Sequence, residues 1–260
     1  MKYLYLLLAV IVTSCNVTET IVFDQNMGGT YKTEFNLTPM MQMVAENRPQ
    51  SVQEEKEQEE DVDSLIVFDD LIEANKAEVS KLSPEDKAKL EKLKGVTLRI
   101  KKIEAEHVFE FEIGKQFDNF SGLENIHEQL DGAFDFLKEE ETKGKPDTGM
   151  NNQLKTDPVQ YTFKNNSFKR FDPSKIPSAE NTEEPSEEED PMMEQMMQQF
   201  EQMFANSYYT VRYKFPKKIK SISSEDAVIS KDGKEMVLKV DWNTINKDNT
   251  VLDLEVELED

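Results

Sequence analysis

Over residues 209–215 apolar and polar side chains change places at every step: Tyr209, Val211, Tyr213 and Phe215 alternate with Thr210, Arg212 and Lys214 before Pro216 stops the run. A period of two sends the two sets to opposite faces, so the pattern predicts a strand with one buried and one solvated face. The same period runs through Val96, Leu98 and Ile100, through Phe109, Phe111 and Ile113, and through Leu252, Leu254, Val256 and Leu258. In the last of these the outer positions are Asp253, Glu255 and Glu257, charges that would protect an exposed sheet edge. Hairpins are expected where such runs flank residues that tolerate positive φ. These are residues 21–37 around Asp24-Gln25-Asn26-Met27-Gly28-Gly29, 159–168 around Asn165-Asn166, and 228–242 around Lys231-Asp232-Gly233-Lys234.

Elsewhere the period lengthens to that of a helix. Leu65, Phe68, Leu71 and Ile72 share one helical face within 64–82, and Leu123, Ile126, Leu130, Phe134 and Leu137 form a stripe within 117–138. Ser83-Pro84-Glu85-Asp86 supplies an N-cap, an N1 proline and acids at the positive end of a helix that Gly95 ends. Thr38-Pro39 opens a shorter helix in the same way, and residues 191–206 read as a Met-rich helix. Two acidic, low-complexity stretches, within 49–63 and 171–190, read as disordered linkers. Strands in hairpins with interleaved helices predict an α+β fold built on an antiparallel sheet.

The start of the chain follows a different logic. Lys2 precedes a charge-free apolar run over residues 3–12, which as a helix rises only about 15 Å, half the thickness of a hydrocarbon core. It ends in Val12-Thr13-Ser14-Cys15, and Cys15 is the single cysteine of 260 residues. This stretch resembles the lipobox of bacterial lipoproteins. The resemblance implies a signal peptide over 1–14, cleavage before Cys15, and acylation of the Cys15 thiol, with palmitate among the acyl chains. Several acyl chains make a firm membrane anchor where one would be marginal. No cysteine would then remain for a disulfide. Asn16, in place of the aspartate associated with inner-membrane retention, favours an outer-membrane address on the periplasmic face.

The expected organisation is therefore a signal peptide (1–14), a lipidated cysteine with a tether (15–20), a hairpin and short helix (21–48), and an acidic linker (49–63). A mixed helix and strand region (64–170), a second acidic linker (171–190), the Met-rich helix (191–206) and the C-terminal strands (207–260) follow. Three features resemble the LppM-like envelope lipoproteins: the strand pair after the cysteine, Gly95-Val96-Thr97-Leu98 leading to His107-Val108-Phe109-Glu110-Phe111, and residues 209–216 with Lys218-Ile219-Lys220-Ser221 and the Asp232-Gly233-Lys234 turn. That resemblance implies an α+β envelope domain and carries over no catalytic residue. Members of the group often add a C-terminal transmembrane helix. Glu259-Asp260 offers none, so the lipid is the expected anchor.

A net charge of −22 disfavours general nucleic-acid binding, since such a surface repels phosphate. GxSxG, Walker A and GxGxxG motifs are absent, and Asp24-Gln25-Asn26 begins like a calcium loop but lacks its distal glutamate, so it is read as a turn. The two histidines, His107 and His127, lack metal-ligand spacing and are expected at the edge of the core. Met192, Met193, Met196 and Met197, followed by Phe200, Met203 and Phe204, suit a flexible partner-binding face, with Cu(I) capture by thioethers as the alternative. Arg212, Lys214, Lys217, Lys218 and Lys220 form the one basic cluster, suited to guarding a strand edge or meeting an anionic headgroup. The reading is a non-enzymatic, lipid-anchored envelope protein that uses no cofactor and binds an envelope protein partner. An enzyme with an unrecognised site is the remaining alternative.

Overall fold

The computed structural model describes residues 16–39, 41–42, 61–124, 126–127, 130, 159–173, 207–248 and 250–260. Its twelve strands are β1 (Asn16–Phe23), β2 (Gly29–Asn36), β3 (Val62–Val67), β4 (Val96–Ile103), β5 (Val108–Phe117), β6 (Gln160–Lys164), β7 (Ser167–Phe171), β8 (Tyr208–Lys214), β9 (Ile219–Ile222), β10 (Val228–Ile229), β11 (Glu235–Asp241) and β12 (Leu254–Leu258). They form two sheets. One has eight strands in the order β10-β11-β8-β1-β2-β5-β4-β3, and the other has four in the order β6-β7-β12-β9. The class is α+β, as the patterning predicts, and every pairing is antiparallel except β1 with β8. That parallel pair joins strands far apart in the chain, Asn16 opposite Tyr208, which no hairpin could bring together.

The sheets face each other across an aromatic core. Ile21 and Phe23 of β1, Tyr31 of β2, Ile113 of β5 and Tyr213 of β8 meet Tyr161 of β6, Phe168 of β7 and Val256 of β12, all buried. Phe168 bridges the layers, with its ring centroid 5.4 Å from Phe23 and 5.2 Å from Tyr213. Such edge-on contacts add to the burial of large apolar rings and are worth about 0.5–1.5 kcal/mol per pair.

Local signals hold where the chain makes its own bonds. Ser83 caps the helix Pro84–Lys92 by accepting from the Asp86 amide, and Gly95 takes a φ of +74° where the chain turns into β4. Asn165 and Asn166 both have positive φ between β6 and β7, the backbone of a two-residue hairpin. Asp24 accepts from the Asn26 and Gly28 amides, so the calcium-like stretch is a turn.

Tertiary pairing overrides several expectations. Residues 16–20 are no tether: β1 starts at Asn16 and is bonded on both sides, to β2 and β8. Residues 62–67 are strand β3, so the first acidic linker ends sooner and the following helix begins at Phe68. The helical spacing of Leu65 misleads because that side chain points to solvent, 63% exposed, while its backbone pairs with Arg99 of β4. Phe117 ends β5, and helix resumes at Ser121. Trp242 opens a helix, Trp242–Lys247, because the Asp241 carboxylate accepts from the Thr244 amide and stops β11. Finally, β12 is no edge: it lies between β7 and β9, and its acids pair with neighbours, Glu255 with Lys169 and Glu257 with Lys220.

Candidate functional site

Along β1 the inward positions are Val17, Glu19, Ile21 and Phe23, so one carboxylate takes a place that the alternation gives to apolar residues. Glu19 is 0% exposed and Arg170 of β7 is 3% exposed. An isolated charge there would cost several kcal/mol, which only a partner and a full set of hydrogen bonds can offset. Both are present. Arg170 donates from Nε to Oε1 at 3.3 Å and from Nη2 to Oε2 at 3.2 Å, and its Nη1 donates to the Leu252 carbonyl at 3.0 Å.

Three tyrosines complete the cage. Tyr161 donates to Oε1 at 2.8 Å, Tyr209 donates to Oε2 at 2.7 Å, and Tyr213 also donates to Oε1. Alternation along β8 puts Tyr209 and Tyr213 on the inner face, two residues either side of Val211. The guanidinium also lies 5.7 Å from the Tyr209 ring centroid. Tyr31, whose hydroxyl accepts from Thr33, stands edge-on to Tyr161 at 6.4 Å.

His127 stacks on Tyr161, with centroids 5.7 Å apart. Its Nε2 lies 3.3 Å from the Tyr161 hydroxyl oxygen. Because that hydroxyl already gives its proton to Glu19, Nε2 is the donor, which leaves Nδ1 unprotonated. Among the described residues, the buried Nδ1 has no hydrogen-bond partner.

The electrostatics follow from this geometry. Burial alone would raise the Glu19 carboxyl, but the charge and hydrogen bonds of Arg170, the Tyr213 hydroxyl and His127 outweigh it and hold the group at about 2. Burial lowers His127 to about 4; the Glu19 charge opposes that shift and Arg170 reinforces it. Burial and the Glu19 charge raise Tyr161, Tyr209 and Tyr213 well above the usual phenol range. At neutral pH the cluster thus holds one carboxylate, one guanidinium, neutral imidazole and protonated phenols. With five donors on two oxygens, Glu19 has no free lone pair to offer a substrate. Its evident work is mechanical: a polar clamp from β1 and β8 of one sheet to β6 and β7 of the other.

Cys15 and the segment holding Met192, Met193, Met196, Met197, Phe200, Met203 and Phe204 lie outside the described residues, as do the acidic stretches 49–60 and 174–190. The basic residues are divided between the two sheets and the link that joins them. Arg212 and Lys214 lie on β8, inside the large sheet, and Arg212 pairs with Glu235 at 3.0 Å. Lys220 lies on β9 in the other sheet and pairs with Glu257 at 3.4 Å, while Lys217 donates to Asn166. Alternation predicted the faces but not the separation into two sheets. Only Lys220 guards an edge strand. His107 is half-buried, with a φ of +51°, at the C-cap of the one-turn helix Glu104–Glu106. Among the described residues no group of three His, Cys, Asp or Glu converges as a metal site. On the solvated face a groove of about 370 Å³ is lined by residues of both signs, among them Glu34, Arg99, Lys101 and Glu112.

The clamp escaped the sequence reading, although one signal was available. Glu19 stands in register with Val17, Ile21 and Phe23, and a carboxylate at core parity demands a buried cation. Which cation it would be depends on a contact 151 residues away.

No family model and no curated protein matches the chain. Among solved structures it is similar to the NMR structure of the folded domain of LppM from Mycobacterium tuberculosis. The TM-score is 0.38 and the identity 8%, over 94% of this chain and 89% of that one. At that distance the similarity transfers no residue role.

Proposed function

We propose that the protein is a lipid-anchored, non-enzymatic envelope protein, held at the periplasmic face of the outer membrane and acting as a binding or assembly module. The observation that carries this is the join between Val12-Thr13-Ser14-Cys15 and the fold: the cysteine directly precedes β1. Cleavage before Cys15 would leave the sandwich complete and place the acylated residue at its margin. The internal saturation of Glu19 and Arg170 supports the non-enzymatic part, because the strongest buried charges are used to join the sheets. The Met/Phe segment 191–206 is the proposed contact for an envelope protein, through flexible side chains that adapt to a partner's groove.

The test is the intact mass of the mature protein, together with its partition in a membrane fraction. Wild type is expected to begin at an acylated Cys15 and to sediment with membranes. Cys15→Ala should keep residues 1–14 and lose acylation. An unmodified Cys15 in wild type would end the reading. In-cell crosslinking with and without Met196→Ser, Met197→Ser and Phe200→Ser then tests the partner.

A further inference from the structure

The anchor and the fold are joined without slack. Asn16 already pairs with Asn36 of β2 and Tyr208 of β8. Neighbouring Cα atoms are about 3.8 Å apart, so a group on Cys15 is held within one residue of the end of the large sheet. The same end carries the link from Leu37 to the Phe109 carbonyl and that from Trp242 to the Ser207 carbonyl. It also carries Gln42 bonded to the Glu106 carbonyl, and Asp61 accepting from the Glu104 amide. The tight turns after β1, between β6 and β7, and after β10 lie at the opposite end.

We infer that the end of the sandwich carrying Asn16, Leu37, Phe109, Tyr208 and Trp242 rests on a phospholipid surface. The inference depends on acylation of Cys15, which sets this end, and no other, against the headgroups. Its chemistry is compatible with that position. Tyr208 is a half-buried aromatic with a polar tip, the side-chain type that suits a membrane–water boundary, and Trp242 is half-buried at the same end with its indole N–H turned into the protein. The Lys239 ammonium lies 3.7 Å from the Tyr208 ring centroid, beside this end, where a phosphate could meet it. Nearby acids are partly neutralised in place, Glu104 by Lys102 and Glu110 by Lys101.

Trp242 is the single tryptophan of the chain and so a built-in reporter. The full acylated protein would be reconstituted in phosphatidylcholine vesicles with and without brominated acyl chains, and flotation and intact mass recorded on the same sample. Trp242 emission is expected to fall with the brominated lipid. Tyr208→Trp in a Trp242→Phe background should be quenched as well, whereas Lys231→Trp in that background, at the opposite end, should not. Acylated, floating protein with equal quenching at both ends, or with quenching only at residue 231, overturns the docking and leaves the anchor standing. Unacylated protein that does not float overturns the anchor, and the docking with it.

Discussion

Two of the arginine–carboxylate pairs that connect strands, Arg99 with Asp63 and Arg170 with Glu19, differ in a way that separation does not explain. Arg99 of β4 meets Asp63 of β3 through Nε and Nη2, both at 3.0 Å, with side chains 51% and 54% exposed. Arg170 meets Glu19 at 3.3 and 3.2 Å, with both side chains almost wholly out of solvent. The exposed pair has the shorter bonds, yet water solvates each partner nearly as well when they part. The buried pair has no such alternative. Its attraction acts in a medium of low dielectric, and loss of either partner strands the other. The outer pair ornaments an edge; the inner one holds two sheets in register.

The sharpest way to break the comparison is Glu19→Gln. It leaves a buried guanidinium without its counter-charge and turns two amide donors toward Arg170 and the tyrosines. The expected loss is about 3–5 kcal/mol in urea unfolding. Adding Arg170→Met should return part of it, since the unpaired cation is gone. A loss as small as that of a surface substitution would mean that the clamp does not hold the sheets together.

Acid tests the same site more gently. The unfolded chain protonates His127 around 6.5, while the folded site resists until about 4, so stability present above pH 6.5 is lost as pH falls toward 4. Glu19 continues the loss: its contribution is complete above 4.5 and disappears as pH falls toward 2. His127→Gln should therefore flatten the stability profile between pH 6.5 and 4 and leave the steeper fall below it. An unchanged slope in that window would show that the imidazole titrates freely in the folded state.

At the small end, Asp63→Ala and Arg99→Ala should leave the unfolding midpoint unchanged in moderate salt, by the same urea titration. A midpoint shift that rivals Glu19→Gln would erase the contrast between the two pairs.

What depends on neighbours along the chain was legible in the residues. Alternation at 96–100, 109–113 and 209–215 placed strands with correct buried faces. Ser83-Pro84 started a helix, Asn165-Asn166 and Lys231-Asp232-Gly233-Lys234 turned hairpins, and the whole patterned as α+β. What depends on distant partners emerged only in the fold. β1 sits parallel to β8, β12 lies inside a second sheet, 62–67 is a strand, and the basic residues are divided between sheets. The Glu19 clamp belongs to this second kind. Parity along β1 exposes the anomaly of a carboxylate among apolar residues, but its cation and phenols come from β6, β7 and β8. Local propensity is set within a few residues, whereas the energy of a buried charge is set by whatever the folded chain brings against it.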